Sequence, residues 1–330
     1  MNLTIRGSGV AAMSCAHLLG RAGIAADLVP VHRPSVPAVM LSDPALALLR
    51  DVLALPDLFA DKPRIDRRIV AWGGAEALSL PHGAVVVSEA DLDAALALPS
   101  AAIARADMTL HTAAPFPAGT LRRFGARTAG TAAVTLRFPE DRSACWIEAV
   151  REGWLFLIPA GEGDAAWLLG IGASIERLVA LSRHVAARLD QVNIASAQFE
   201  VCPRILTSLQ GEDWLACGTA AIAFDPICGD GTAQALREAV LAAAVITAWR
   251  DGGDPAALRT HYESMLIATM RRHLRLCADF YRSGGTGPWW DAQMASLADG
   301  FDWCTARLAT LPEPRYQLQD FRLVERETVI

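Results

Sequence analysis

The sequence predicts an α/β protein with a Rossmann-like domain, an antiparallel β-sheet and C-terminal helices. Three observations lead to this class. The chain begins with a strand–glycine–helix–strand pattern, a second strand–glycine loop–helix pattern occupies residues 214–249, and four regularly spaced strand-like runs lie between them. With a length of 330 residues, these patterns indicate one large domain or two closely joined domains.

Bulk properties narrow the class of protein. The formal net charge is -6 and the sequence pI is near 5.7, which argues against a nucleic-acid partner. No apolar run is long enough for a membrane span, so we expect no membrane association. The seven cysteines are dispersed without a C-x-x-C pair, which indicates reduced, mostly buried thiols, no metal site and a cytoplasmic chain.

The N-terminal pattern predicts a dinucleotide-binding βαβ unit. Strands at residues 2–6 and 24–31 flank a helix, and the turn between the first strand and the helix reads Gly7-Ser8-Gly9, with Ala12 completing G-x-G-x-x-A. Gly7 makes the tight turn, Gly9 lets a pyrophosphate approach the backbone, and Ala12 allows close helix–strand packing.

One part of this fingerprint is missing. An acidic residue at the end of the second strand usually binds the ribose hydroxyls of the nucleotide. Pro30 occupies that position, and no acidic residue lies between Asp27 and Asp43. His32 and Arg33 follow the strand and could reach a phosphate, although a solvated loop is the commoner role for such residues.

The central part of the chain predicts strands and helices from periodicity and turn residues. Ser88 and Asp91 predict a capping box at the start of one helix. The four strand-like runs predict an antiparallel meander. The segments are helix 43–55, strands 67–72, 76–80 and 85–87, helix 88–98, strand 108–111, loop 115–131, strands 132–138, 144–150, 154–159 and 166–173, helix 175–189, an extended segment 199–206, and helices 255–281 and 289–308.

The second glycine pattern follows an apolar strand that starts at Trp214. Its loop reads Cys228-Gly229-Asp230-Gly231-Thr232, and a helix with apolar residues at helical spacing starts at Thr232. Gly229 and Gly231 carry no Cβ, so the backbone can approach a flat ligand closely. The unpaired N–H groups at the helix start favour an electron-rich edge of that ligand.

The run of residues 218–239, GTAAIAFDPICGDGTAQALREA, resembles the second flavin motif of the single-component flavin monooxygenase and flavin-dependent halogenase superfamily. Within that superfamily it is most similar to the LodB- and GoxB-type maturases of cysteine tryptophylquinone oxidases. The sequence departs from the pattern at Thr219, where the family has an aspartate that bonds the ribityl chain. Ser88-Glu89 also stands where the family often has a basic residue. The residues that it shares with the pattern are Gly218, Ala220, Ala221, Asp225, Pro226, Gly229 and Gly231.

Two further segments carry the resemblance. Trp154 to Pro159 is similar to the W-x-W-x-I-P signature of the halogenases, with Phe156 for the second tryptophan, and to a strand of the maturases. Phe280-Tyr281-Arg282 and Pro288-Trp289-Trp290 resemble a C-terminal segment of the maturases. Alternating aromatic side chains that fill a sheet core explain the first segment equally well.

The resemblance implies a p-hydroxybenzoate hydroxylase-like fold that binds FAD, with NAD(P)H as reductant. It assigns residues 1–64, 83–130 and 200–250 to a discontinuous FAD-binding domain, 65–82 and 131–199 to an antiparallel-sheet substrate domain, and 251–330 to a C-terminal helical region and tail. The implied cofactor-binding residues are Gly7, Ser8, Gly9, Ala12, Arg33, Gly218, Thr219, Asp225, Gly229, Asp230, Gly231 and Thr232. The implied substrate pocket contains Trp154, Phe156, Pro226, Cys228, Trp289 and Trp290.

The function implied is hydroxylation of a tryptophan in a partner protein during quinone cofactor biogenesis. The flavin carries the chemistry, and the sequence contains no His/Asp/Ser constellation with a workable catalytic spacing. One alternative is a flavin-dependent halogenase or small-aromatic hydroxylase, although the single lysine, Lys62, lies in a polar loop. Another alternative is a non-catalytic flavoprotein-fold chaperone or binding subunit, which the departures at Pro30, Thr219 and Ser88 motivate.

Overall fold

A computed structural model describes residues 1–32, 36–74, 76–98, 106–161, 163–229 and 231–326. In these residues the chain forms seventeen strands and seven α-helices. The strands are β1 Leu3–Arg6, β2 Ala26–Val29, β3 Val39–Ser42, β4 Arg64–Ala71, β5 Leu78–Val87, β6 Met108–His111, β7 Leu121–Arg123, β8 Thr128–Leu136, β9 Ala144–Val150, β10 Gly153–Pro159, β11 Ala165–Gly172, β12 Leu189–Glu200, β13 Arg204–Leu206, β14 Trp214–Ala216, β15 Ile222–Ala223, β16 Tyr316–Gln319 and β17 Arg322–Glu325. The helices are α1 Val10–Arg21, α2 Asp43–Leu53, α3 Glu89–Leu96, α4 Ile175–Leu181, α5 Gly231–Arg250, α6 Pro255–Gly284 and α7 Pro288–Ala309.

A four-stranded parallel sheet forms the Rossmann-like part, as the sequence predicts. Its strand order is β14-β6-β1-β2, and Leu3 of β1 pairs with Ala26 of β2 on one side and Met108 of β6 on the other. Leu3 and Ile5 are fully buried, because helices of the same unit cover this sheet. The first glycine motif follows β1 of this sheet, and Gly218 follows β14, whereas the loop that starts at Cys228 follows β15 of a separate three-stranded sheet, β15-β13-β7.

A second, eight-stranded sheet has the order β12-β8-β11-β10-β9-β4-β5-β3. Strands β9, β10 and β11 form the predicted meander, but β8 pairs with β11 and β12 instead of β9. The prediction of four consecutive antiparallel neighbours is therefore wrong at β8. Gly130 of β8 and Gly170 of β11 lie opposite each other, and a Cβ at either glycine would come within about 3.3 Å of Ile175 in α4. Packing of α4 on this glycine pair favours β11 as the neighbour of β8.

The helix predicted at 175–189 is shorter than expected. It ends at Leu181, and the backbone N–H groups of Arg183, His184 and Val185 donate to the buried carboxylate of Glu148 in β9. These amides therefore find their acceptor outside the helix, which stops it. The acceptor lies more than thirty residues away along the chain, so periodicity in the sequence does not show it.

Other elements differ in their extent. Residues 85–87 are the end of the ten-residue strand β5, and the predicted loop 115–131 contains β7 and the start of β8. Strand β12 runs for twelve residues where the sequence predicts a helix end and a shorter extended segment. The predicted capping box is confirmed, because the Ser88 hydroxyl accepts the N–H of Asp91 and the Asp91 carboxylate accepts the N–H of Ser88.

Helices α6 and α7 pack against each other and against the rest of the core. In the part of the chain described above, no helix is both long enough and apolar enough to span a membrane. All seven cysteines are free thiols, and only Cys228 among them is not buried, in agreement with the sequence. The division into three regions at the boundaries given above stays a prediction.

Candidate functional site

The first glycine motif forms a narrow turn at the carboxyl end of β1. Gly7 has a φ of 134°, and a Cβ there would lie 2.0 Å from Thr112 Oγ1, so only glycine fits this position. Gly9 has a φ of 86° and precedes α1, whose first turn contains no acidic residue and no side-chain cap. The first N–H groups of α1 therefore remain available to an anion, as a pyrophosphate site requires.

A cavity of about 490 Å³ opens between the two glycine motifs. A second cavity of about 730 Å³ shares Ser8, Gly9, Val31, His32 and Glu89 with the first, so the two form one continuous groove. We call it the dinucleotide groove. The predicted cofactor-binding residues on its walls are Ser8, Gly9, Gly218, Thr219, Gly231 and Thr232.

The other predicted cofactor-binding residues lie elsewhere. Gly7 and Ala12 support the start of α1 without being lining residues of the groove, and Gly229 lies in the adjoining turn with a φ of 60°. Asp225 is buried behind that turn. Arg33 and Asp230 lie outside the described residues. The cofactor-binding role of all these residues stays a prediction.

Acidic side chains missed by the sequence reasoning line the outer part of the groove. Glu89 and Asp93, on the first turns of α3, line the same cavity as Pro30. Glu89 Oε2 also accepts the N–H of Val36 at 2.7 Å. The groove thus has carboxylates near the position of the missing acid, but they come from α3 instead of β2. Their alternation with apolar residues at the start of a capped helix gave no signal of this role.

A second missed residue, Glu238 of α5, lies under the Gly218-Thr219 wall. Its Oε2 accepts the N–H of Gly218 at 2.7 Å, and its Oε1 accepts Gln234 Nε2 at 3.2 Å. Burial raises the pKa of the Glu238 carboxyl to about 8, although both hydrogen bonds oppose the shift. Glu238 therefore fixes the backbone of the second glycine motif from inside the core.

The residue Asp225 is the centre of a buried polar network that we call the Asp225 network (Trp154, Tyr281, Asp225, Arg127 and Gln293). Arg127 Nε and Asp225 Oδ2 form an ion pair at 2.9 Å in which both side chains have no exposure. The contact is an ion pair without the geometry of a linear hydrogen bond. Burial opposes the charge of Arg127, but the Asp225 carboxylate, together with the smaller contributions of Tyr281 and of two nearby cysteines, outweighs burial and raises the pKa of the guanidinium.

Hydrogen bonds extend the Asp225 network in both directions. Tyr281 donates its hydroxyl to Asp225 Oδ2 at 2.9 Å, and Trp154 Nε1 donates to the Tyr281 oxygen at 3.2 Å. Burial keeps the pKa of Tyr281 well above its usual value, so the hydroxyl retains the proton that it donates. On the other side, Arg127 Nη1 donates to Gln293 Oε1 at 2.7 Å. Asp225 Oδ1 accepts the N–H of Ile227 and so caps the turn Pro226–Cys228.

The predicted substrate-pocket residues come together, but as packed core. Trp154 is 0% exposed, Phe156 6% and Trp290 1%. Trp72 makes edge contacts with both Trp154 and Trp290, at ring-centroid distances of 6.3 and 5.7 Å. Trp289 stacks on Tyr281 at 5.9 Å.

The remaining two pocket residues, Pro226 and Cys228, form the turn beside this aromatic core. None of the six predicted pocket residues lines the dinucleotide groove. Their role in substrate binding stays a prediction.

No family model and no curated protein matches the sequence. Solved structures do match the fold. A peptidyl tryptophan dihydroxylase essential for tryptophylquinone cofactor biogenesis, QhpG, has 19% identity and a TM-score of 0.70 over 98% of this chain and 86% of that chain. The flavin-dependent halogenase CmlS has 14% identity and a TM-score of 0.75 over 97% and 74% of the two chains.

The p-nitrophenol 4-monooxygenase PnpA from Pseudomonas putida DLL-E4 has 14% identity and a TM-score of 0.64 over 93% of this chain and 96% of that chain. These similarities confirm the predicted fold class. The chain shares the fold of these three solved structures.

Removing one member of the buried ion pair should strongly destabilise the protein. We expect Arg127→Met to lower the free energy of unfolding by about 3–5 kcal/mol, because it leaves the Asp225 carboxylate buried without its counter-charge. Urea unfolding measures the change. The control is Asp279→Asn, which breaks an exposed ion pair with Arg282 and should cost less than about 1 kcal/mol. Equal effects of the two substitutions would contradict a structural role for the Arg127–Asp225 pair.

The buried Glu238 should make stability depend on pH. Its pKa is near 8 in the folded chain and 4.5 in the reference state, so between these values the folded chain holds a proton that the unfolded chain has lost. The free energy of unfolding should then fall as pH rises, by up to about 1.4 kcal/mol per pH unit, and level off above pH 8. Glu238→Gln should remove this slope in urea unfolding at pH 5.5 and 7.5. The exposed control Glu176→Gln should keep it, and an unchanged slope in Glu238→Gln would refute the assignment.

Proposed function

We propose that this protein is an FAD-dependent monooxygenase-like maturase that hydroxylates a tryptophan of a partner protein. The single observation that carries the proposal is the dinucleotide groove, bounded at one end by Ser8 and Gly9 and at the other by Gly218, Thr219 and Gly231. The likeness of the fold to a peptidyl tryptophan dihydroxylase supports the choice of substrate class.

The residues of the groove fit a dinucleotide such as FAD. Gly9 and the N-terminal N–H groups of α1 would hold the pyrophosphate, and Glu89 and Asp93 of the outer groove would offer carboxylates to the ribose hydroxyls of the adenosine half. Thr219 would offer a hydroxyl to the ribityl chain, and Gly231 has open space in front of its missing Cβ. When bound, reduced flavin supplies activated oxygen for attack on an electron-rich aromatic ring.

The protein's own residues would position the ring and exclude water. Asp225 holds the turn Pro226–Cys228 through its bond to the Ile227 N–H, and its carboxylate is fixed by Arg127 and Tyr281. A turn held from behind by a buried ion pair keeps its shape while a substrate approaches it. NAD(P)H as the source of electrons is part of the proposal.

A flavin-dependent halogenase is the second candidate, because the fold is also that of the halogenase CmlS. Lys62 Nζ forms an ion pair with Asp91 Oδ1 at 3.0 Å, and Asp91 belongs to the capping box of α3. Lys62 lines neither cavity of the dinucleotide groove. This engagement of the single lysine supports hydroxylation over halogenation.

A non-catalytic binding subunit is the third candidate, and the affinity for FAD tests it. We expect the purified protein to show flavin absorption bands after incubation with excess FAD and removal of the free cofactor. Thr219→Asp should tighten FAD binding by about 1–3 kcal/mol, because a carboxylate is a stronger acceptor for the ribityl hydroxyls than a hydroxyl.

Fluorescence titration of FAD measures the affinity of the Thr219→Asp variant. Thr305→Asp is the matched control, since it adds the same charge on the exposed face of α7 and should leave the dissociation constant unchanged. A wild-type protein that binds no FAD and a Thr219→Asp variant that gains none would together favour the binding subunit.

The activity test uses tryptophan-containing peptides and labelled oxygen. With FAD, NADH or NADPH, and ¹⁸O₂, we expect mass spectrometry to find ¹⁸O on the tryptophan of a peptide substrate. Bromide or chloride in the same reaction provides the internal control. Halogenated product without ¹⁸O incorporation would replace the hydroxylase proposal with the halogenase.

A further inference from the structure

Three side chains with sulfur or imidazole groups meet behind the second glycine motif. Cys228 ends the turn Pro226–Cys228, and His273 and Cys277 lie one helical turn apart on α6. The Cys277 Sγ lies 3.3 Å from His273 Nε2, and ligand atoms of all three residues lie within 4.8 Å of one another. We call this group the Cys228 cluster.

The two thiols of the Cys228 cluster differ in acidity. A hydrogen bond from the Cys277 thiol, followed by contacts with His273, lowers the pKa of Cys228. Burial and the neighbouring Cys228 raise the pKa of Cys277 well above its usual value. The pair therefore consists of one thiolate-forming sulfur and one protonated sulfur beside it, the arrangement of an attacking and a resolving cysteine.

The surroundings favour a thiolate over a bound cation. Cys228 and His273 line a small cavity of about 90 Å³ together with Asp225, Arg237 and Arg272, so the charged lining is two guanidinium groups and one carboxylate. His273 Nε2 already accepts the backbone N–H of Asp225 at 2.8 Å, so its lone pair is engaged. A metal ion bound at His273 Nε2 would have to displace that amide.

We propose that Cys228 and Cys277 are a peroxide-reactive dithiol that closes to a disulfide between the glycine loop and α6. The Cys228 thiolate attacks one oxygen of hydrogen peroxide, which breaks the O–O bond and gives Cys228 sulfenic acid and hydroxide. The Cys277 thiol then attacks the Cys228 sulfur, an S–S bond forms, and the sulfenic oxygen leaves as water with the thiol proton. Overall the two thiols lose two protons and two electrons, which reduce one hydrogen peroxide to two waters.

The disulfide would attach the turn before α5 to the C-terminal third of α6. Gly231 and Thr232, three and four residues after Cys228, line the dinucleotide groove. Oxidation would therefore restrict the backbone that forms one wall of the groove. This inference does not depend on the proposed function, since hydrogen peroxide is the only oxidant required.

The experiment treats the reduced, full-length protein with stoichiometric hydrogen peroxide. We expect the intact mass to fall by about 2 Da, with peptide mapping under non-reducing conditions joining Cys228 to Cys277. Reduction with dithiothreitol should restore the original mass. In Cys277→Ser, dimedone should trap the sulfenic acid on Cys228. In Cys228→Ser, Cys277 should remain unmodified.

A matched control is available in the same chain. Burial raises the pKa of the Cys304 thiol to about 12, so this thiol should not react with peroxide. Cys304→Ser should therefore form the Cys228–Cys277 disulfide as the unaltered protein does. We also expect iodoacetamide at pH 7 to label Cys228 roughly ten-fold faster than Cys304.

Two outcomes would overturn the inference. Oxidation of Cys228 no faster than that of Cys304 in the unaltered protein would show that the cluster is ordinary packing. Stoichiometric zinc that resists dialysis, protects both thiols from peroxide and is lost in Cys277→Ser would show that the cluster is a metal site.

Discussion

The buried ion pair between Arg127 and Asp225 joins parts of the protein that the chain order keeps far apart. Arg127 immediately precedes β8 of the large sheet, whereas Asp225 lies between β15 and the glycine loop that starts at Cys228. Tyr281 and His273, both on α6, complete the shell of Asp225. Because two fully buried charges are tolerable only when each has its partner, the large sheet, α6 and the glycine loop have to meet in one arrangement. The shape of the turn Pro226–Cys228 depends on that arrangement.

The dinucleotide groove obeys a different constraint, which is close backbone approach. Gly7 leaves no room for a side chain against Thr112, and Gly218 is held by the buried carboxyl of Glu238. These contacts fix the two backbone walls between which a flat ligand would lie. The acidic groups of the outer groove, Glu89 and Asp93, lie on α3 and are not part of these walls. Because the walls are backbone and the carboxylates lie on a different element, the groove can keep its shape while its affinity for a ligand changes.

The aromatic residues show how the same side chains can belong to a core and border a site. Trp154 and Trp290 are almost completely buried, and each has its indole N–H satisfied, by Tyr281 and by the carbonyl of Val150 respectively. Their packing supports Tyr281, which in turn donates to Asp225. The two tryptophans are therefore linked to the glycine loop through the Asp225 network, independently of any contact with a substrate.

Local sequence patterns predicted much of the architecture. The βαβ unit with Gly7 and Gly9, the capping box of Ser88 and Asp91, and the meander β9-β10-β11 are all confirmed, since each depends on residues close together in the chain. The sequence predictions were wrong where a group distant in the chain determines the end of a helix or the neighbour of a strand. The helix that starts at Ile175 stops because Glu148 accepts the amides that follow it, and β8 lies beside β11, where α4 packs on a pair of facing glycines.

The sequence by itself determined the fold class, the two glycine motifs and the free, mostly buried state of the cysteines. Tertiary structure alone decided the partners of the buried polar groups. Arg127 and Gln293 are 166 residues apart, and Cys228 and Cys277 approach each other only when α6 packs behind the glycine loop. A pairing across such separations leaves no periodicity or spacing in the chain, because it is selected by the need to satisfy a buried charge or donor after the elements have packed.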